Sequence, residues 1–348
     1  MNATVSTKAK KGFRVDGRTI TIVLGVVIVA LLAGYYIRQP LQATAVYAAT
    51  LRQSTPLVLG ALCGLIGERS GVINIGIEGQ MLLAAFLAFL ANVYIGRLGI
   101  FPLPVVLLLA VLIGVLSGAI MGLFLAWMSV GLKMDQIIGG TVINGLAVGF
   151  TSFFYQTGLT TLGKLQPIRL GPLADLPLVG SVFFTNAPIT FLAIILVFVM
   201  QFALFRTVWG LRTRSVGEHP SAADTVGINV HRTRYLNVML AGCFSGLAGA
   251  YLTLEAVGSF ERGMTNGRGF IALACMIFGK WTPLGSWGAA LLFAFFTALQ
   301  TQLQFTGGLK IPHQFLGMLP YVLTIIVLAG FVGRSRAPAA VGQVYESE

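Results

Sequence analysis

Long apolar runs alternate with short polar breaks along the whole chain. Ten runs read as helical spans: residues 19–37, 50–66, 76–95, 103–130, 136–156, 188–206, 235–257, 268–280, 286–304 and 315–332. Most of them match the roughly 20 apolar residues a helix needs to cross a bilayer. The pattern predicts an all-α polytopic integral membrane protein with about ten transmembrane helices. One break differs from the rest. Residues 206–234 hold five arginines, two acids and two histidines between two apolar halves, and such a segment belongs in water, because ionised groups are costly in hydrocarbon. Within it Pro220 suits a first helical position, and Ala222, Ala223, Val226 and Val230 recur at helical spacing, which predicts a short interfacial or docking helix over 218–229.

Composition agrees with this pattern. The chain of 348 residues is 56% hydrophobic and only 10% charged. Its net charge of +12 raises nucleic acid as a partner, but no basic patch with interleaved aromatics lies outside the loops that flank spans, so no nucleic-acid partner is expected. With a cytoplasmic N-terminus, fifteen of the 23 Lys and Arg residues fall on the cytoplasmic side, the bias that orients membrane proteins. Both termini and the 206–234 loop are then cytoplasmic, with the five arginines of the loop holding its ends at the membrane surface. The basic residues before 19–37 mimic a signal peptide, yet the run is long enough to span and no small-x-small cleavage site closes it, so a retained first helix is expected. Cys63, Cys243 and Cys275 sit in apolar segments without CxxC spacing and read as small core residues.

Several breaks carry candidate chemistry. Residues 67–81, GERSGVINIGIEGQM, place glycines, Asn74 and Glu78 where a simple span has none. The segment is either a broken or re-entrant helix, or a turn from Gly67 to Gly71 followed by a tightly packed helix; in both cases Asn74 and Glu78 face protein or a pathway. Asp135 precedes the fifth run as a helix cap, and Asn144 lines that run. The runs 114–127 and 241–254, with SGAIMG (117–122) and SGLAGA (245–250), are weakly alike and suggest two duplicated halves. Glu255 closes the seventh run, and GSFERGMTNGRGF (258–270) follows, where Phe260 and neighbouring polar groups suit a pocket for a small, partly flat solute, although Phe and Gly are common throughout.

Catalytic constellations are missing. GLTTLGKL (158–165) nearly spells a phosphate-binding loop, but Leu165 replaces the hydroxyl residue and no strand precedes it. No HExxH, hydrolase triad, dinucleotide fingerprint or calcium loop occurs. No enzyme is expected, and no cofactor bound by this chain. Glu78 and Glu255 keep a proton- or sodium-coupled carrier open as an alternative.

Three strings, ERSGVINIGIEGQM (68–81), GRGFIALACMIFGKWTPLG (267–285) and GRSRAPAA (333–340), resemble permease subunits of ABC importers in the ribose and branched-chain amino acid permease superfamily, nearest its nucleoside and simple-sugar branch. The resemblance covers about residues 50–340. It implies a permease domain over 19–332 of two pseudo-repeated halves, as in type II importers, between a cytoplasmic N-terminal segment (1–18) and a cytoplasmic tail (333–348), in the bacterial inner membrane. It implies a second permease, different in sequence, and a cytoplasmic ATPase with two nucleotide-binding domains that holds ATP and magnesium. It also implies an external binding protein or lipoprotein. The family's coupling segment falls on Gly217, Glu218, Pro220, Ala222, Ala223, Val226 and Gly227, and its solute pathway on Asn74, Glu78 and Asn144, with Glu255 and Phe260 beside them. The resemblance implies nucleosides as the solute, with simple sugars and branched-chain amino acids as alternatives, since the opening of the fifth run, LKMDQIIGGTVIN (132–144), has Asp135-Gln136 where relatives are rich in Asn and Glu.

Overall fold

The computed structural model describes residues 30 to 306 apart from 31, residues 336–346, and isolated positions between 315 and 322. The chain divides into a unit ending at Ala45, helical over 32–38, and a compact unit from Val46 to Glu348. The runs expected at 19–37 and 315–332 lie largely outside the described residues. Within the described residues the fold is helical: α1 (Pro40–Arg69), α2 (Ile77–Arg97), α3 (Leu103–Ala126), α4 (Gln136–Phe154), α5 (Val179–Phe183), α6 (Pro188–Arg206), α7 (Val208–Glu218), α8 (Pro220–Thr225), α9 (Val230–Tyr251), α10 (Arg268–Phe278) and α11 (Pro283–Thr306). Helices α3 and α9 each continue into a π turn, at Trp127–Gly131 and Leu252–Val257. Six described helices, α2, α3, α4, α6, α9 and α11, are long and apolar enough to cross a membrane. The run expected to span at 268–280 is an 11-residue helix, about 16 Å long at 1.5 Å per residue, which is half a bilayer core. Glycines at both of its ends, Gly267 and Gly279, stop it.

One core holds the membrane helices together. Leu59, Leu62 and Ile66 of α1, Met81 of α2, Val197 of α6, Ala248 of α9, Met276 of α10 and Phe293 of α11 pack in a single buried cluster. Pro56 lies inside α1 and cannot donate to the carbonyl of Arg52. The Tyr251 hydroxyl of α9 donates to that carbonyl at 2.6 Å, so the group freed by proline is paired by a neighbouring helix, as a low-dielectric interior requires. Helix α9 runs antiparallel to α3 along glycines: a Cβ on Gly118 would lie 2.5 Å from the Gly246 Cα, one on Gly246 2.5 Å from the Gly114 oxygen, and one on Gly122 2.5 Å from the Val238 oxygen. These are the SGAIMG and SGLAGA runs. They form one contact, in which the small side chains let two backbones meet.

The segment between α4 and α6 carries a short antiparallel ladder, Ile168–Arg169 (β1) with Thr185–Asn186 (β2), around α5. The near phosphate loop is stitched into place by ordinary bonds: Leu162 N donates to Asn92 Oδ1 at 3.0 Å and Leu165 N to the Leu254 carbonyl at 2.8 Å. The element that follows it is the short strand β1, not the helix a phosphate loop opens.

Candidate functional site

Between α1 and α2 the chain turns at Ser70 and Gly71 and runs irregularly to Gly76. Helix α1 runs on to Arg69, past the start of the turn expected at Gly67, and five non-helical residues, 72–76, separate the turn from α2. Three predicted pathway residues gather at this break. Asn74 is 1% exposed, and its Nδ2 donates to Gln80 Oε1 at 3.2 Å and Cys63 Sγ at 3.4 Å. Asn144 of α4 accepts from Gly79 N at 2.7 Å and donates to the Ile75 carbonyl at 3.1 Å, so one amide satisfies both backbone edges of the break. Glu78, in the first turn of α2, accepts from Gly267 N at 2.8 Å and Gly269 N at 2.6 Å. Its carboxylate thus caps the half-helix α10 from another segment, where the dipole favours negative charge. Asn144→Leu should leave two buried backbone groups unpaired, at about 1–3 kcal/mol each. Thermal unfolding of the detergent-solubilised protein should show the loss; an unchanged midpoint would exclude this role.

Gln80 and Ser245 escaped the sequence reading. Ser245 Oγ donates to Gln80 Oε1 at 2.9 Å, which makes Gln80 the hub of a buried network joining α1, the break, α2 and α9. The signal was present as a lone glutamine at the head of an apolar run, a residue that hydrocarbon does not tolerate unpaired.

The other two predicted residues lie apart. Glu255, in the π turn after α9, accepts from Ile189 N at 2.8 Å, Thr190 N at 3.2 Å and Thr190 Oγ1 at 2.5 Å, capping α6 as Glu78 caps α10. Phe260 is 3% exposed within an aromatic cluster, its ring 4.9 Å from Phe86 and 6.0 Å from Tyr155. No described hydrogen bond joins Glu255 to Asn74, Glu78 or Asn144.

The polar loop differs from a single helix over 218–229. Glu218 ends α7, His219 breaks the helix, and Pro220 opens the six-residue α8. Gly227 then turns with φ +83°, where glycine alone is unstrained. Val230 belongs to α9. Ala223 is buried with Val216 and Val230, whereas Ala222 and Val226 point outward, Val226 being 74% exposed. Gly217 packs against the Arg69 carbonyl so closely that any side chain would collide with it. Arg234, expected at the membrane surface, is instead 2% exposed; its Nε donates to the Ser70 carbonyl at 3.2 Å and its Nη1 to the Gln343 carbonyl at 2.9 Å. Nearby, Arg69 donates to the Trp281 carbonyl at 3.0 and 2.8 Å, and Trp281 Nε1 to Glu68 at 2.5 Å, so the turn at 279–282 is tied to the end of α1. At the surface Lys133 and Glu346 pair at 2.5 Å, and this hydrogen bond and the lysine charge hold the Glu346 carboxyl below the ordinary range.

Six helices long and apolar enough to cross a membrane, interrupted by buried polar breaks, fit a polytopic membrane protein. The family described as the permease component of the branched-chain amino acid transport system matches residues 46–328, and the chain belongs to it: it is a multi-pass permease subunit of the ABC-transporter type. It is 42% identical to the guanosine ABC transporter permease protein NupQ of Bacillus subtilis over 305 residues, 85% of this chain and 95% of that protein. It is 41% identical to the nucleoside ABC transporter permease protein NupC of Lactococcus lactis subsp. cremoris over 299 residues, 84% and 93% of the two chains. Bacillus subtilis carries a second relative, the guanosine permease protein NupP, 27% identical over 245 residues, 68% of each chain. No solved structure matches.

Proposed function

We propose that this chain forms the membrane pathway of an ATP-driven nucleoside importer, paired with a second, different permease. The observation that carries the reading is its likeness, over more than four fifths of its length, to permeases named for guanosine and nucleosides. That one bacterium has two such guanosine permease proteins supports the heteromeric pair. A cytoplasmic ATPase with two nucleotide-binding domains supplies ATP and magnesium, and an external binding protein delivers the solute. The permease domain is 19–332, with about ten spans in two repeated halves. The offset that aligns 114–127 with 241–254 carries the π turn at 127–131 onto 254–258, within two residues of the one at 252–257, which supports duplication. Both termini lie in the cytoplasm of a cell whose inner membrane holds the complex; contacts of 336–346 with the 206–234 loop support this side for the C-terminus.

In this mechanism α7 and α8 form the coupling segment, with Gly217, Glu218, Pro220 and Ala223 as its frame and Ala222, Val226 and Gly227 facing the ATPase. ATP binding closes the ATPase pair and moves the segment as a rigid body, switching the pathway at the α1–α2 break between outward and inward access. Asn74, Glu78 and Asn144 shape that break. Glu255 and Phe260 hold the outer ends of helices beside it. A proton-coupled carrier is the weaker reading, because Glu78 and Glu255 each cap a helix and proton transfer would uncap it in every cycle.

The test is uptake of radiolabelled guanosine by cells expressing the chain with a second permease, ATPase and binding protein. ATP depletion should abolish uptake, an uncoupler alone should not, and excess nucleosides, unlike sugars or branched-chain amino acids, should compete. Uptake by this chain alone that collapses with the uncoupler would overturn the reading. Val226→Asp at the exposed coupling face should lower uptake at least tenfold, while the binding protein still holds guanosine; substitution of buried Ala223 would test folding instead.

A further inference from the structure

The C-terminal residues do not trail as a polar tail. Residues 336–346 fold across the cytoplasmic elements, with Pro338 and Ala340 buried. Ala340 N donates to the Gly217 carbonyl at 2.9 Å, and Ala339 N to Glu218 Oε2 at 3.2 Å, so the segment grips the end of α7. Gly342 N donates to the Gly71 carbonyl at 3.1 Å, at the start of the α1–α2 break. Farther on, the Tyr345 hydroxyl donates to Asp224 Oδ2 of α8 at 2.8 Å, and its ring lies 5.6 Å from that of His231. Arg234, buried at the base of α9, binds the Ser70 carbonyl on one side and the Gln343 carbonyl on the other.

These bonds make a short mechanical path. It begins on α8, whose outer face is open to a partner, runs through Tyr345, Gln343 and Gly342, and ends at Ser70 and Gly71. Three residues beyond Gly71 lies Asn74. Backbone bonds of Ala340 and Gly342 hold one end of the segment and the Tyr345 hydroxyl holds the other, while the Arg234 guanidinium fixes Gln343 between them by a charge-assisted bond, stronger than a neutral one.

We propose that residues 339–346 are a coupling strap: Tyr345 and Arg234 are positioning residues that carry displacement of the α8 segment to the α1–α2 break. The proposal rests on the coupling role given to α8 above. Helix α8 is only six residues long and is followed by a glycine turn, so the strap adds a second link to the packing of Ala223 on Val216 and Val230.

The assay is guanosine imported per ATP hydrolysed, with the complete complex (both permeases, ATPase and binding protein) in proteoliposomes. Truncation after Val341 removes the bonds made by Gly342, Gln343, Tyr345 and Glu346. It should cut the transport-to-hydrolysis ratio at least tenfold, with the complex still assembled and still hydrolysing ATP. Tyr345→Ala should lower the ratio in the same direction, and Tyr345→Phe, which keeps the ring against His231, should recover part of it. A merely structural segment would instead lower the amount of complex and leave the ratio per complex intact, and that result overturns the proposal. If truncation prevents assembly, the Tyr345→Ala ratio decides alone: a wild-type value rejects the strap. Should the unaltered complex import no guanosine at the cost of ATP, the functional reading fails first and the strap with it.

Discussion

Gly118→Val should abolish recovery of folded permease. A Cβ at this position overlaps the backbone of Gly242 and Gly246 in α9, and backbone cannot rotate aside as a side chain can. Overpacking of a close-packed interior costs about 1–3 kcal/mol where neighbours can adjust, so Gly118→Ala, against backbone that cannot, should cost at least that much and the branched valine more. The consequence reaches the site, because α9 also carries Ser245 to Gln80 and Glu255 to α6; separating α3 from α9 moves both. Size-exclusion profiles and thermal unfolding in detergent provide the measurement. Gly145→Ala is the control: Gly145 lies mid-helix in α4 with nothing within 4 Å of an added Cβ, and alanine there should stabilise by about 0.5–1 kcal/mol through helix propensity. If the two substitutions behave alike, the glycine seam is not what joins these helices.

The bilayer explains why so much of the fold is readable in the chain. It forces each crossing helix to be an apolar run of fixed minimum length, and the runs at 76–95, 103–130, 136–156 and 188–206 recur as α2, α3 with its π turn, α4 and α6 within two residues at each end. Asp135 as a cap was equally legible, since its carboxylate accepts from Ile137 N and Ile138 N, the local signal that capping leaves in sequence. The end of α8 was legible too, in the glycine at 227 that follows Asp224-Thr225-Val226, but a helical spacing of apolar residues that continued to Val230 masked it. What could not be read is pairing at a distance. Arg234 is one arginine among five in its loop until Ser70 and Gln343, 164 and 109 residues away, are brought to it. Residues 268–278 have the apolarity of a span, and the carboxylate that caps their first turn as the start of a half-helix, that of Glu78, comes from another segment. The site was therefore legible as a set of residue types in the wrong solvent, Asn74, Glu78 and Asn144 among them, while their roles as clamp and cap came from contacts that only the fold creates.

Glu78→Ala should destabilise the subunit by about 3 kcal/mol and reduce guanosine uptake at least tenfold. The carboxylate supplies two acceptors to Gly267 N and Gly269 N, bonds to a charged group that contribute about 1.5–3 kcal/mol each, and their loss strands two donors at the mouth of α10. Without its anchor the half-helix has only 11 residues, fewer than an isolated helix needs to persist, so it should fray from Arg268 and release the packing of Ala272 against α1. Glu78→Gln distinguishes an anchor from a proton carrier. Its amide keeps one acceptor oxygen and turns an NH2 group toward the second donor, so an anchor predicts intermediate values of both the unfolding midpoint and uptake, moving together. A proton carrier predicts that uptake vanishes with the midpoint unchanged. Correlated losses across Glu78→Ala, Glu78→Gln and Glu78→Asp, whose shorter side chain retracts the charge from the helix end, would establish that the acid works by holding α10 in place. Uptake lost in Glu78→Gln at full stability would return the residue to proton coupling.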